Sequence, residues 1–483
     1  MAALQASGIS VGLPWNTAGN SEVGHMTMGA GRVIYQNMPR ISLAIQDESF
    51  FRNEVLLEAV ESARKNGKSL HLMGLISSGS VHSYKDHLTA LLRLAKEQNF
   101  TKVFVHAFTD GRDSAPTAGL QQIKELVRQM RLLEVGELAS LSGRHYSMDR
   151  NNNWDRIEKT YRMLTEGAVN PVSDPLLLLE RSYAKDVTDE FIEPVNIVSE
   201  EGKAPALIQD GDSVIFFNFR EDRARELTKA FVQESFDGFQ RVKKNLFFVT
   251  MTEYEQGLGG VHIAFPLQDI HHGLGETLSQ HGKKQLRLAE TEKYAHVTYF
   301  FNGGKENPWP GEDRLLIPSP SVPHFDMVPE MSSPAITSTL VEKLREGAYD
   351  FILVNYANPD MVGHTGNEEA SIDAVEATDK SLSILIPEIL KAGGCAIITA
   401  DHGNVEELKK AATGEVDTEH STNPIPLWYL TPDNQREKSA EEVNREENEV
   451  NGLLSDVAPT ILEIMNIPRP TEMNGTSLMP LLE

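Results

Sequence analysis

Val103-Phe104-Val105-His106-Ala107-Phe108 runs directly into Thr109-Asp110-Gly111-Arg112-Asp113. A short β-rich apolar run that ends in a glycine turn bearing acids and an arginine reads as a buried strand delivering a polar loop. A helical pattern, Leu120–Leu133, follows it. The same unit recurs on both sides. Leu70–Ile76 leads into Ser77-Ser78-Gly79-Ser80-Val81-His82 and the helix Tyr84–Glu97. Ala139–Leu141 leads into Ser142-Gly143-Arg144, with Asp149-Arg150 and the helix Trp154–Thr165 beyond. Ser213–Phe219 leads into Arg220-Glu221-Asp222-Arg223 and the helix Asp222–Val232, and Leu246–Met251 reads as a further strand. Strands alternating with amphipathic helices imply an α/β fold with largely parallel strands, which binds ligands beyond the carboxyl ends of its strands.

Four of these strand ends carry Arg or His beside Gly, Ser or Asp. The chain as a whole carries a net charge of -25, which excludes a general nucleic-acid or membrane-surface binder. Singly, each arginine reads as a solvated surface residue. Together, in an acidic protein, they read as a local pocket for phosphate and carboxylate, groups that a guanidinium grips with two parallel hydrogen bonds. A chain of 483 residues exceeds one small core, so two domains are expected. Cys395 is the single cysteine; it excludes internal disulfides and Cys-rich zinc sites, and beside Ala396–Ile398 it reads as a buried, inert thiol. No apolar run has the length of a membrane helix, and the first basic residue is Arg32, so neither signal nor transit peptide is visible and the expected location is cytoplasmic. The Glu- and Asn-rich stretch Arg436–Glu449 reads as a solvated surface insertion.

The second half carries different chemistry. Phe351–Tyr356 runs into Asn358-Pro359-Asp360-Met361-Val362-Gly363-His364, which puts Asp360 and His364 on one face if the segment is helical. Ala396–Ala400 ends in Asp401-His402-Gly403-Asn404, and His420 follows in a polar stretch; Ser371–Lys391 is a helical pattern between them. Asp and His are the usual non-cysteine ligands of Zn²⁺ or Mn²⁺, and two such sets suggest two metals. Near the start, Gly19-Asn20-Ser21-Glu22-Val23-Gly24-His25 precedes a run with Met26, Met28, Gly29 and Gly31, whose glycines allow backbone to approach a ligand closely. Ser21 there has two readings: a helix N-cap with Glu22 as first-turn acid, or a nucleophile at a helix start that favours an attached phosphate. With the Arg cluster and the Asp/His sets, phosphoryl transfer through a phosphoserine fits better than a Ser-His-Asp hydrolase, because the Gly-x-Ser-x-Gly elbow is absent.

Seven motifs in order carry a family resemblance: Gly-Asn-Ser-Glu-Val-Gly-His, His-Ala-Phe-Thr-Asp-Gly-Arg-Asp, Ser-Gly-Arg-x-Tyr-x-Met-Asp-Arg, Phe-Asn-Phe-Arg-x-Asp-Arg, Glu-Thr-Glu-Lys-Tyr-Ala-His, Asn-Pro-Asp-Met-Val-Gly-His and Thr-Ala-Asp-His-Gly-Asn. From about residue 5 to its end the chain resembles the cofactor-independent phosphoglycerate mutases of the alkaline phosphatase superfamily. The resemblance implies an α/β protein of two domains. A discontinuous phosphatase-like metal-binding domain would comprise 1–36 and 268–483, and an inserted transferase domain 37–267, with crossings near Gln36–Ile41 and Phe265–His272. It implies a glycolytic isomerase that interconverts 3- and 2-phosphoglycerate through a phosphoserine intermediate, with two divalent ions, Mn²⁺ first among them. By motif position Ser21 is the nucleophile, Asp113 the general acid and base, and Lys293 the cation that neutralises the transferring phosphoryl group. His82, Arg112, Arg144, Arg150, Arg220 and Arg223 hold phosphate or carboxylate. Asp360, His364 and His420 ligate one metal; Asp401 and His402, with Ser21, ligate the other. A monomer acting on small anionic phosphoglycerates, with hinge motion between its domains, is the expected form.

Family members begin with an apolar strand ending in Asp-Gly, whose aspartate ligates the second metal. In this chain the first aspartate is Asp47, so the expectation is a metal domain without that first strand, a second metal site short of one Asp ligand, and exposed neighbouring strand edges. Ser78 and Ser80 also stand where the family tends to have Asp and Gly. Two other readings follow: a truncated or degenerate paralogue that binds phosphoglycerate with weak or no activity, and another superfamily enzyme such as a phosphatase or phosphopentomutase.

Overall fold

The computed structural model describes residues 1–167, 171–198, 206–410, 413–434 and 438–482. The chain divides into two compact units, Met1–Gln36 with Asp269–Glu483, and Asn37–Gln268. Its strands are β1 (Ala2–Gln5), β2 (Leu70–Ile76), β3 (Val103–Thr109), β4 (Glu137–Gly143), β5 (Val195–Asn196), β6 (Ser213–Phe216) and β7 (Phe247–Thr250). They continue with β8 (His262–Ile263), β9 (Gln285–Glu290), β10 (Glu312–Ile317), β11 (Phe351–Val354), β12 (Ala396–Thr399), β13 (Ile425–Leu430) and β14 (Val450–Leu453).

The unit Asn37–Gln268 is built on one sheet in the order β5-β4-β3-β2-β6-β7-β8. All its pairings are parallel except β4 with β5. Every residue of β2 is buried, and the period-two alternation of a strand sends its side chains to two cores. Leu70, Leu72 and Ile76 join Val103, Val105 and Ile215 on one face; Met73 and Leu75 join Phe108, Val214 and Phe216 on the other. Register brings Ile76 level with Thr109, and Thr109 level with Gly143. The chain leaves β2 toward β3 on one side and later returns as β6 on the other, so the carboxyl ends of these strands border the sheet's switch point. The run Ser213–Phe219, expected as one strand, leaves the sheet after Phe216. There the Asn218 side chain, not the backbone, accepts from the Leu75 N–H at 2.9 Å. The helix expected from Asp222 starts at Arg225, which keeps Asp222 and Arg223 in the loop.

The other unit holds two sheets, β12-β13-β1-β14 and β10-β9-β11. β1 runs antiparallel to β13 and parallel to β14, and β9 is parallel to both β10 and β11. β11 pairs on one edge with β9, and β12 on one edge with β13. All residues of Phe351–Val354 and Ala396–Thr399 are half-buried, although their unbroken apolar sequence is that of strands covered on both faces. Cys395, expected to be buried, is exposed, because it lies in the turn before β12. Within the Glu- and Asn-rich stretch, Arg436 lies outside the described residues; from Ser439 onward the chain is a helix, Ala440–Asn448, closed by reciprocal Ser439 and Glu442 hydrogen bonds. No helix among the described residues is long and apolar enough to cross a membrane.

His87, on the helix Lys85–Glu97, is fully buried. Its Nε2 lies 3.0 Å from Ser42 Oγ and its Nδ1 has no partner. Burial pushes its pKa down to about 3, so it is neutral when folded and takes a proton on unfolding. Its contribution to stability is complete above pH ~6.5 and is lost as pH falls from there toward 3, at about 1.4 kcal/mol per pH unit. Denaturant titrations at pH 7 and pH 5 are expected to show about 2 kcal/mol less pH dependence in His87→Leu than in the parent chain.

Candidate active site

Ser21 is the first residue of the helix Ser21–Ala30, and the cap is Asn20, whose side chain accepts from the Val23 N–H. The capping reading of Ser21 is therefore overturned, and Glu22 is the first-turn acid. With the capping position filled, the buried Ser21 hydroxyl is available for other partners. Its Oγ lies 2.9 Å from His402 Nε2 and accepts from Lys293 Nζ at 2.6 Å. Lys293 also donates to Asp360 Oδ2 at 2.5 Å. The glycines around Ser21 approach protein backbone rather than leaving room for a ligand. A Cβ on Gly24 would lie 2.5 Å from the Asp401 carbonyl oxygen, and one on Gly29 would lie 1.9 Å from that of Phe301. Gly31 ends the helix in the left-handed conformation, at φ 61°.

Asp360 lies in the short helix Asn358–Gly363 that follows β11, and His364 comes immediately after it. Asp360 Oδ1 lies 3.4 Å from His364 Nε2, 3.3 Å from His420 Nε2 and 3.9 Å from His402 Nε2. Burial alone would raise the Asp360 pKa, but the His420 hydrogen bond and the charges of Lys293 and His402 hold it far below the usual carboxylate range. Burial likewise opposes ionisation of Asp401, which the His402, His25 and Lys293 charges overcome. Asp401 Oδ2 lies 3.1 Å from His25 Nδ1 and 3.6 Å from His402 Nε2.

The histidine tautomers test whether this cluster suits a cation. His364 Nδ1 is 2.8 Å from the Thr418 carbonyl and His420 Nδ1 is 2.7 Å from the Gly19 carbonyl. A carbonyl only accepts, so each Nδ1 carries a proton; against the cost of burial, the Asp360 carboxylate holds His420 above the ordinary imidazole value, so its Nε2–H donates to Asp360 and presents a lone pair only when that proton leaves. The two Nε2 atoms face each other at 3.1 Å beside the Asp360 carboxylate. With that proton gone, the two Nε2 lone pairs and the carboxylate converge, their far nitrogens anchored to backbone, as the donor set a divalent ion would need. Asp360, His402 and His420 each offer one ligand atom, all within 4.8 Å of one another. His402 Nδ1 is 3.3 Å from its neighbour's carbonyl, Gly403 O, rather than a carboxylate, so the Ser21–His402 contact is not the first half of a Ser-His-Asp triad. Sequence reasoning missed two members of this cluster, His25 and Asn404. Asn404 Nδ2 donates to Asp360 Oδ1 at 2.6 Å. An amide directly after Asp401-His402-Gly403 was the available signal, since a buried carboxylate needs neutral donors as well as cations.

In the unit Asn37–Gln268 the strand ends converge as well. Arg144, 2% exposed, donates from Nη1 to Asp110 Oδ1 at 2.6 Å and to Asp113 Oδ2 at 2.5 Å. Asp110, fully buried and also missed in the sequence, accepts from the backbone N–H groups of Arg112 and Asp113 and from Ser77 Oγ. It thereby shapes the loop that presents Arg112 and Asp113. A cavity of about 160 Å³ is lined by Arg112, Arg144, Arg150, Arg156, Arg223 and Glu190, among others. His82 and Arg220 join the cluster through Asp222: His82 Nδ1 is 3.5 Å and Arg220 Nε 3.2 Å from Oδ1, and Arg150 Nη1 is 2.9 Å from Oδ2. A larger cavity of about 990 Å³, lined by Thr337, Val341 and Ile384 among others, contains none of the residues singled out from the sequence.

The family profile described as BPG-independent PGAM N-terminus matches residues 41–256. The chain is 48% identical over 476 residues to the 2,3-bisphosphoglycerate-independent phosphoglycerate mutase of Clostridium botulinum, covering 99% of this chain and 91% of that protein. It is 49% identical over 482 residues to the enzyme of the same name from Thermomicrobium roseum, with 99% and 91% covered. Among solved structures it is similar to Leishmania mexicana phosphoglycerate mutase, described at low cobalt concentration, at 30% identity and a TM-score of 0.51 over 98% of this chain and 90% of that one.

Asn404→Ala removes the neutral donor to Asp360 while leaving every candidate ligand in place. Calorimetric titration of the metal-free protein with Mn²⁺ is expected to show affinity lowered about 10- to 100-fold, the usual effect of losing a group that orients a ligand.

Proposed function

The chain belongs to the 2,3-bisphosphoglycerate-independent phosphoglycerate mutases, and on that premise we propose that it interconverts 3- and 2-phosphoglycerate through a phosphoserine at Ser21. It is an isomerase of glycolysis and gluconeogenesis in a metal-dependent family. The observation that carries the Ser21 assignment is the position of its Oγ between Lys293 Nζ and His402 Nε2, at 2.6 Å and 2.9 Å. An ammonium donating to a hydroxyl oxygen favours the alkoxide, and it remains beside that oxygen as a phosphoryl group arrives.

In this reading Ser21 Oγ attacks the phosphorus as its alkoxide and the bond to the glycerate 3-oxygen breaks, with protonated Asp113 supplying that oxygen's proton; the second transfer regenerates the alkoxide. The glycerate reorients. Its 2-hydroxyl then returns a proton to the Asp113 carboxylate and attacks the phosphoserine, and the bond to Ser21 Oγ breaks. Lys293 offsets charge on the moving phosphoryl group as a compact point charge. Arg112, Arg144, Arg150, Arg220, Arg223 and His82 hold the phosphate and carboxylate of the glycerate. Asp360, His364 and His420 would hold one divalent ion, and Asp401 and His402 with Ser21 a second, Mn²⁺ in each case, supplying Lewis-acid neutralisation of phosphoryl oxygens and a lower serine pKa. The unit Asn37–Gln268 is then the transferase domain and the remainder the phosphatase-like domain. We read the protein as a cytoplasmic monomer without nucleic-acid or membrane partners, in keeping with its net charge of -25.

Ser21→Ala is expected to lower kcat by roughly four orders of magnitude, as removal of a nucleophile does elsewhere, and to abolish phosphate label on the acid-quenched protein. Isothermal titration with 3-phosphoglycerate should still report binding. Persisting label, or label mapped by mass spectrometry to another residue, would remove Ser21 from the mechanism. Chelation of divalent ions is expected to stop turnover, and added Mn²⁺ to restore it.

A further inference from the structure

Two buried carboxyl groups stand together at the arginine-lined cavity, which Asp149 helps to line, and the mechanism uses neither. Asp149 is 5% exposed and Glu226 6%. Asp149 belongs to the loop before the helix Trp154–Thr165 and Glu226 to the helix Arg225–Val232, and the two side chains lie within hydrogen-bonding reach of each other. Between them they hold the loop that carries Arg150. Asp149 Oδ1 accepts from the Asn151 and Asn153 N–H groups, each at 2.9 Å. Its Oδ2 accepts from Asn153 Nδ2 at 2.9 Å and from Arg156 Nη1 at 3.1 Å. Glu226 Oε1 accepts from the N–H of Asn152 at 2.9 Å, where the backbone is left-handed at φ 59°. Glu226 Oε2 is buried and has no partner. We propose that Glu226 is a positioning residue: its Oε2 carries a proton and donates a hydrogen bond to Asp149, which fixes the loop 149–153 in the shape that presents Arg150 to the anionic groups of the substrate. The inference rests on the role of Arg150 given above.

Two adjacent carboxyl groups shielded from water repel strongly if both are ionised, so the pair retains one proton. The donors decide which partner keeps it. Four N–H groups, one of them from a guanidinium, converge on Asp149 and favour its charged form; Glu226 receives one. Burial opposes ionisation of Asp149, but the Asn153 and Asn151 hydrogen bonds and the Arg156 charge hold its carboxyl below the usual range. Burial pushes the Glu226 carboxyl up, and Asp149 adds to this through its charge and its hydrogen bond, against the Asn152 N–H and Lys229. The charged groups that face Glu226 are thus Asp149 from the loop, with Arg156 of the helix Trp154–Thr165 behind it, and Lys229 from its own helix. Lys229 is itself committed to Glu255 at 2.7 Å. When pH rises through the Glu226 titration, the hydrogen bond between the acids is lost and their repulsion draws the Asn152 anchor away from Asp149. The start of the loop stays in place, because the Met148 carbonyl accepts from Arg223 Nη1 at 3.2 Å. The displacement then falls on 150–152, and Arg150 moves with it.

A Glu226 that served only as acceptor for the Asn152 N–H would need no proton, and that difference is measurable. Infrared difference spectra between the parent chain and Glu226→Gln are expected to contain the carbonyl stretch of one protonated carboxyl. The band should disappear as pH rises, at a pH above the ordinary glutamate value of about 4.3. Affinity is read by isothermal titration with 3-phosphoglycerate in the Ser21→Ala background with Mn²⁺, where no turnover follows. There Glu226→Gln, whose amide donates to Asp149 at every pH, is expected to match the parent below the titration. Above it, Glu226→Gln is expected to bind about 10-fold more tightly than the parent, the scale of one hydrogen bond to a charged group; ionisation of the substrate affects both proteins alike. Glu226→Ala is expected to be about 10-fold weaker than Glu226→Gln throughout. A band that titrates at or below the ordinary glutamate value, a parent-to-Gln affinity ratio that stays constant across pH, or a Gln variant as weak as the Ala variant would each overturn the proposal. Thermal melts exclude loss of fold, and the Gln comparison stands even where Glu226→Ala does not fold. Should 3-phosphoglycerate bind none of these proteins, the proposed function fails while the infrared band still judges the acid pair.

Discussion

The Asp360 carboxylate is the point around which the candidate metal-binding cluster of this chain is assembled. Its Oδ2 accepts from Lys293, and its Oδ1 faces His364, His402 and His420 and accepts from Asn404. The partners arrive from several places: Lys293 after β9, His364 after β11 beside Asp360 itself, and His402 and Asn404 after β12. His420 comes from the polar stretch before β13. Taking such a carboxylate out of water costs several kcal/mol unless cations and donors compensate. The strands of this unit are therefore placed so that their carboxyl ends meet around one acid. The ion pairs here are weak evidence of stability; their value lies in fixing which side chains surround Ser21.

The same requirement explains the glycines. The helix Ser21–Ala30 can present Ser21 Oγ to Lys293 and His402 only by lying directly on the backbone at Asp401 and Phe301. Side chains at positions 24 and 29 would collide with those carbonyls. His25, on the same helix, then reaches Asp401 Oδ2 with Nδ1 while also lying 2.9 Å from its own Ser21 carbonyl. One ring thus ties the start of the helix to the second acid. Close packing, in place of any direct contact between a glycine and substrate, is what the Gly-rich stretch supplies.

The division between what could and could not be read beforehand follows from the range of the interactions. Leu70–Ile76 and Trp154–Thr165 have the same bounds in the sequence pattern and in the structure, because a buried strand and a long amphipathic helix each carry a local period. The run from Ser213 does not, because Asn218 turns it out of the sheet through a contact with β2 that no period encodes. Among site residues, ligand types at strand ends were legible: Asp, His, Arg and Lys stand out against apolar runs. Asn404, His25, Asp110 and Asp222 were not singled out because each acts on another functional side chain, and such pairings depend on distances between separate strand ends. The capping assignment of Ser21 failed for a related reason. Asn20 and Ser21 are both good caps, and which of them starts the helix is settled by the Lys293 and His402 contacts that claim the Ser21 hydroxyl.

The arginine-lined pocket divides into a fixed part and an adjustable part. Arg144 is 2% exposed and bound to Asp110 and Asp113, so breaking either pair would leave a charge stranded in a buried site. Arg112, Arg150 and Arg220 are 56%, 47% and 49% exposed, and pair with Glu190 and Asp222. Exposed pairs of this kind are worth at most about 1 kcal/mol, so an incoming phosphate or carboxylate can take the guanidinium at little cost. A substrate that must present first one oxygen and then its neighbour needs such a division. On the proposed mechanism the buried Arg144–Asp113 pair would keep the proton-carrying group in place, while the weakly committed arginines would release one orientation of the glycerate and take up the next. Uniformly buried ion pairs would hold a single orientation too firmly for that exchange, and unpaired arginines would leave the empty pocket to mutual repulsion.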